Sequence, residues 1–68
     1  MSDNVSRYET FLATAECNSV SKAAKRLFVS QPAVSAEIAT LENSLKVKLF
    51  FRSNRGVTLT PEGRVLYE

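Results

Sequence analysis

Along the first 45 residues the apolar side chains recur at helical intervals, and after that the period changes. In the stretch 30–45, SQPAVSAEIATLENSL, Val34, Ile38, Leu41 and Leu45 stand at i, i+4, i+7 and i+11, one face of a 3.6-residue helix. Ser30 can accept from a backbone N–H of the first turn, and Pro32 lies where its missing N–H would have no helical partner. The pattern predicts a helix over about 31–45. Its opposite face carries Pro32, Ala36, Ala39 and Asn43, flanked by Ser35 and Thr40, all small or uncharged. Such a face allows close approach to another helix or to the floor of a DNA groove.

The chain before this helix repeats the same logic twice. Val5, Tyr8, Phe11, Leu12 and Ala15 are helically spaced, with Ser2, Asp3 or Asn4 as cap, which predicts a core-packing helix from about residue 4 to Cys17. Asn18 is suited to a left-handed helix end. Ser19 then caps a shorter helix with Val20, Ala23, Ala24 and Leu27 on one face, where two adjacent alanines let a crossing helix come close. Phe28 and Val29 leave room only for a tight turn before Ser30. A short helix, a tight turn and a longer helix form the arrangement of a helix-turn-helix, in which the second helix lies in the groove and the first braces it, an arrangement that ordinary helical hairpins share.

After Leu45 the sequence reads as strand. Val47, Leu49 and Phe51 alternate with Lys48, Phe50 and Arg52, and because Phe50 interrupts the polar side, one of the two adjacent phenylalanines is expected to pack under the helices. Ser53-Asn54-Arg55-Gly56 is a turn cluster, and Val57 to Thr60 resumes as strand. The hairpin, about residues 47–59, places Arg52 and Arg55 near its tip and must lean on the helices, since an isolated hairpin is barely stable in water. Such a basic hairpin behind a helix-turn-helix is a wing. Thr60-Pro61-Glu62 starts a further helix by cap, first-position proline and first-turn carboxylate. The sequence ends inside that helix with no terminal Gly or Pro, so residues 60–68 read as the start of a truncated linker helix.

Composition narrows the function. Sixty-eight residues make one small domain, which buries only about 60% of the surface its unfolded chain exposes. One cysteine and no histidine leave no internal disulfide and no Cys/His metal cluster, and no Gly-rich phosphate loop is present, so an enzyme, a cofactor and a metal site are not expected. No apolar run approaches a membrane span, and Met-Ser-Asp-Asn lacks the order of a signal peptide, so the expected location is cytoplasmic. The formal charge of +2 is unevenly placed: residues 1–45 balance to −1 and residues 46–68 to +3, with four cations and no acid between Lys46 and Gly56. A local basic patch suits a polyanion partner, and equally a merely solvated face.

Taken together these residues resemble the N-terminal DNA-binding domain of LysR-type bacterial transcriptional regulators. The resemblance is carried by Phe11, Ser19-Val20, Ala23-Ala24-Lys25-Arg26-Leu27 and Val29-Ser30-Gln31-Pro32-Ala33-Val34-Ser35, then by Ile38, Leu41-Glu42, Leu45, Leu49-Phe50, Arg52, Arg55, Leu59-Thr60 and Gly63. It covers nearly the whole chain. It implies a mainly α fold, a winged helix-turn-helix of three helices, a two-stranded wing and the start of a linker helix. The DNA-binding domain would be residues 1–59. It also implies sequence-specific binding to double-stranded operator DNA as a homodimer joined through the linker helix, tetramers of the full-length protein, and a small-molecule effector bound by a separate C-terminal domain.

By the same resemblance Gln31, Pro32 and Ser35 would face bases and phosphates at the start of the recognition helix. Ser30, Ala36, Ala39 and Thr40 would line the same face, Arg52 and Arg55 would hold the backbone or a narrow groove, and Lys22, with Lys25, would pin adjacent phosphates. Gln31 can pair bidentately with adenine, and Ala36 can touch a thymine methyl. Glu42 is expected to serve structure, and Cys17, Tyr8 and Phe11 the core. Two positions depart from the family pattern: Ala36 stands where arginine or lysine is usual, and Lys46 where glycine usually ends the helix. The alternative is a winged-helix protein-interaction module without DNA binding, which a recognition helix free of cations would suit.

Overall fold

A computed structural model describes residues 3–68, with side chains from Arg7 onward; the cap candidate Ser2 and the side chains of Asp3, Asn4 and Val5 lie outside the described residues. The elements run α1 (Asp3–Cys17), α2 (Val20–Leu27), α3 (Gln31–Leu45), β1 (Phe50–Ser53), β2 (Gly56–Leu59) and α4 (Pro61–Tyr67). Each join follows from local chemistry. Asn18 takes the left-handed conformation (φ 53°) that ends α1. The Ser19 hydroxyl accepts from Lys22 N–H at 3.1 Å to open α2, and the Ser30 hydroxyl accepts from Ala33 N–H at 3.2 Å to open α3. Thr60 does the same for α4 through Gly63 N–H at 2.9 Å, while its own O–H donates to the Lys48 carbonyl at 2.6 Å.

The three long helices enclose one core. Phe11, Ala24, Val34, Ile38, Leu49, Phe50 and Val57 are buried together, with Ala23 and Ala24 allowing the close approach of α2. Phe11 meets Phe50 at 5.4 Å between ring centroids, tilted by 47°, a favoured aromatic geometry that ties α1 to the hairpin. Buried polar groups are provided for: Thr14 O–H donates to the Thr10 carbonyl at 2.7 Å, and Thr10 O–H to Glu37 Oε1 at 2.5 Å.

Four sequence expectations are corrected. The paired wing begins at Phe50, because the segment after α3 is held by a side chain before it can pair: Glu42 Oε2 accepts from Leu49 N–H at 2.7 Å. The expected alternation is accordingly shifted, with Leu49 and Phe50 both buried and Phe51, paired with Thr58, facing outward. Leu45 is exposed, since it sits in the last turn of α3 beyond the reach of the core. Tyr8 lies on the rim: its ring stacks on Phe11 at 6.1 Å, and its O–H reaches the Leu66 carbonyl at 3.4 Å.

Lys46 closes α3 in the left-handed region (φ 61°, ψ 35°), with its N–H donating to the Glu42 carbonyl. A residue with a Cβ is disfavoured there and glycine is not. Lys46→Gly is therefore expected to stabilise the domain by roughly 0.5–1 kcal/mol, part of the 1–2 kcal/mol left-handed penalty, as read by the midpoint of urea unfolding. A lower midpoint would show that the lysine side chain itself supports the helix end.

Candidate nucleic-acid interface

The first turn of α3 is presented to solvent by the packing of its other face. Val34 and Ile38 are fully buried, which fixes the helix rotation and leaves Gln31, Pro32, Ala36, Ala39 and Thr40 exposed and Ser35 half-buried. Ser30 is occupied as the cap, though its hydroxyl hydrogen remains available to an acceptor. Thr40 is exposed, and its hydroxyl donates to the Ala36 carbonyl at 2.9 Å. The face therefore offers one amide, hydroxyls and methyl groups, with no formal charge of its own.

Positive charge stands on the elements beside it. β1 and β2 pair antiparallel, Arg52 opposite Val57 and Ser53 opposite Gly56, with Arg55 in the connecting turn, where the Ser53 hydroxyl accepts its N–H at 3.3 Å. Both arginines are exposed, and neither forms an ion pair among the described residues. Lys22 and Lys25 are exposed on α2, whereas Arg26 is held by Glu16 at 2.7 Å. The hairpin's position relative to the helices is fixed by Val57 N–H donating to the Asn18 carbonyl at 3.1 Å. Gly56 (φ +127°) is required at that crossing, because a Cβ there would overlap the Asn18 carbonyl oxygen. The domain measures 32 × 27 × 19 Å, so its long axis matches about one turn of a DNA duplex, ~34 Å.

Two features were not foreseen from the sequence. Phe28 turns the chain between α2 and α3 in the left-handed conformation (φ 59°) with its ring 94% exposed, where glycine or asparagine would have been expected. Lys46 and Lys48 share an open cleft with Glu42, Asn43 and Val47 at the far end of α3. The replacement of the usual helix-ending glycine by Lys46 was the one sequence signal near it.

Residues 5–64 match the family described as bacterial regulatory helix-turn-helix protein, lysR family. The chain belongs to the LysR family. Relatives include the HTH-type transcriptional regulator GltR of Bacillus subtilis, 48% identical over 63 residues that make up 93% of this chain and 21% of that protein. An uncharacterised HTH-type transcriptional regulator of Methanocaldococcus jannaschii, MJ0300, is 44% identical over all 68 residues, 23% of its length. The chain thus spans about a fifth of the length of these relatives. Among solved structures, the DNA-binding domain of CbnR in complex with DNA superposes with a TM-score of 0.89 at 39% identity, covering 98% of this chain and 75% of that one. The DNA-binding domain of BenM with catB site 1 DNA gives 0.88 at 37% identity, covering 98% and 73%. The LysR domain fold, a winged helix-turn-helix, is thereby established for the described residues.

Proposed function

We propose that this LysR-family domain binds operator DNA in a sequence-specific way and so regulates transcription, with α3 in the major groove and the wing on the backbone or in the minor groove. The observation that carries the reading is the pairing of an uncharged, small-residue face on α3 with exposed arginines near the tip of a fixed hairpin, neither in an ion pair among the described residues. On this reading residues 1–59 are the DNA-binding domain and residues 60–68 the start of the linker helix. Gln31, Pro32, Ser35 and Ala36 meet bases, with Ala39 and Thr40 further along the groove. Ser30 and Lys22 meet phosphates, as do Arg52 and Arg55, which can also enter a narrow groove. The domain acts by binding rather than by catalysis, in the cytoplasm, where the genome is.

Two protomers are proposed to pair through the linker helix. Val65 is 75% exposed and Tyr67 partly so on α4, an apolar edge suited to a second copy of the helix. The remaining parts of the protein would carry the effector site and build the tetramer. Specificity is the sharpest test. Gln31→Ala is expected to relax preference at a single base position, a discrimination worth about 1–3 kcal/mol, when bound sites are selected from random duplexes. Equal weakening on every sequence would refute a reading role for Gln31.

A further inference from the structure

We propose that the cleft at the C-terminal end of α3 is a second grip on the duplex, a phosphate-binding site formed by Lys46, Lys48 and Asn43. The proposal rests on the DNA-binding reading above and extends it to residues outside the first turn of α3 and the hairpin tip. Its first support is the backbone. Lys46 occupies a left-handed position (φ 61°) that glycine fills without strain, so a lysine there carries a conformational cost. The second is helical periodicity. Ser35, Ala39 and Asn43 stand at i, i+4 and i+8 of α3, so Asn43 carries the face proposed to meet DNA into the cleft, where Lys46 follows as the left-handed cap. Third is reach. Fifteen residues of helix span about 22 Å, while the major groove is about 12 Å wide, so a helix entering by its N-terminal turn carries its far end out over the sugar-phosphate edge.

The charge in the cleft is compatible with an anion. Glu42 also lines it, but its carboxylate is largely covered and already engaged: Oε2 accepts from Leu49 N–H at 2.7 Å, and Oε1 stands 4.0 Å from Lys48 Nζ. The Lys48 side chain is 83% exposed, free to swing outward. The helix C-terminus adds about half a negative charge. Two lysines still leave the cleft positive, and the open space, about 450 Å³, admits a phosphodiester. A cation supplied at the exit of α3 also answers a need of this sequence, since the helix carries none from Gln31 to Leu45.

The test uses the 68-residue chain and a mixed-sequence duplex, with affinity measured across a series of salt concentrations and thermal unfolding recorded in parallel. Lys46→Gly and Lys48→Gln are each expected to weaken binding roughly 3- to 10-fold at about 0.1 M salt and to make the slope of log K against log salt shallower by about 0.9, the loss of one phosphate contact. Lys46→Gly should do so while melting at the same or a higher temperature, a divergence that a purely structural role does not produce. Lys48→Gln gives the same readout at a position with no left-handed backbone. Unchanged affinity and slope in both variants, beside a wild-type chain that binds, would overturn the proposal and leave the DNA-binding reading standing. A wild-type chain that fails to bind at low salt, and fails also when extended through the whole linker helix, would overturn both.

Discussion

Gly63→Ala is expected to destabilise the domain by about 2–4 kcal/mol, combining an overpacking cost of roughly 1–3 kcal/mol with the loss of a hydrogen bond worth about 1 kcal/mol. Gly63 is buried in the first turn of α4, and a Cβ there would overlap the Leu49 carbonyl oxygen and come within 3.0 Å of Leu59 Cδ2. Relief is hard to find, because the first obstacle is backbone. Lifting α4 away would break Thr60 N–H to the Leu49 carbonyl (3.0 Å) and Thr60 O–H to the Lys48 carbonyl (2.6 Å), the bonds that seat the helix on the base of the wing. The sign of the effect is itself informative. At an open helical position the same change would stabilise by about 1 kcal/mol through propensity. A urea midpoint that stays level or rises would mean that α4 does not pack as described. For a domain of this size each kcal/mol shifts the melting temperature by about 4–8 °C, so the expected loss is easily seen.

Removing both wing arginines, Arg52→Ala with Arg55→Ala, is expected to give the largest loss of DNA affinity. Two phosphate contacts account for a slope change of about 1.8 in log K against log salt and for roughly 30- to 100-fold in affinity near 0.1 M salt. The loss should fall alike on all sequences, because phosphate contacts position the protein without reading bases. Stability should change little: both side chains are exposed and without ion pairs among the described residues. A double variant that binds with unchanged salt dependence would remove the wing from the interface.

The contrast between the wing and α3 also explains what could be read from the sequence. Helix starts were legible because each depends on one local hydroxyl, those of Ser19, Ser30 and Thr60, and the structure uses all three. Asn18 was legible as a left-handed end because asparagine tolerates that conformation better than most residues with a side chain. The hairpin was placed correctly, but its first paired residue was not. The alternation of Val47, Leu49 and Phe51 mimics a strand, whereas a side chain seven residues back, Glu42, captures Leu49 N–H and rephases the segment so that Phe50 turns inward. That is a tertiary contact with no local signature. The same holds for Gly56 and Gly63, whose lack of a side chain matters only because Asn18 and Leu49 carbonyls pass close by.

The candidate site divided in a similar way. Exposure of Gln31, Pro32, Ala36 and Ala39 followed from the buried stripe of Val34 and Ile38, a matter of periodicity that sequence carries well. Leu45 departed from the stripe only at its end, where the helix has outrun the core. The exposed ring of Phe28 was not legible, since glycine or asparagine would be expected at its left-handed turn, whereas the left-handed Lys46 stands where glycine usually ends the helix in the family.

On the proposed reading this domain grips duplex DNA by its charge distribution and reads it by α3. Titration of the chain against a mixed-sequence duplex at a series of salt concentrations tests it most directly. Measurable binding at low salt is expected, with a linear fall of log K against log salt of slope about −0.9 for each phosphate held. Absence of binding at low salt, even for a chain extended through the whole linker helix, would contradict it.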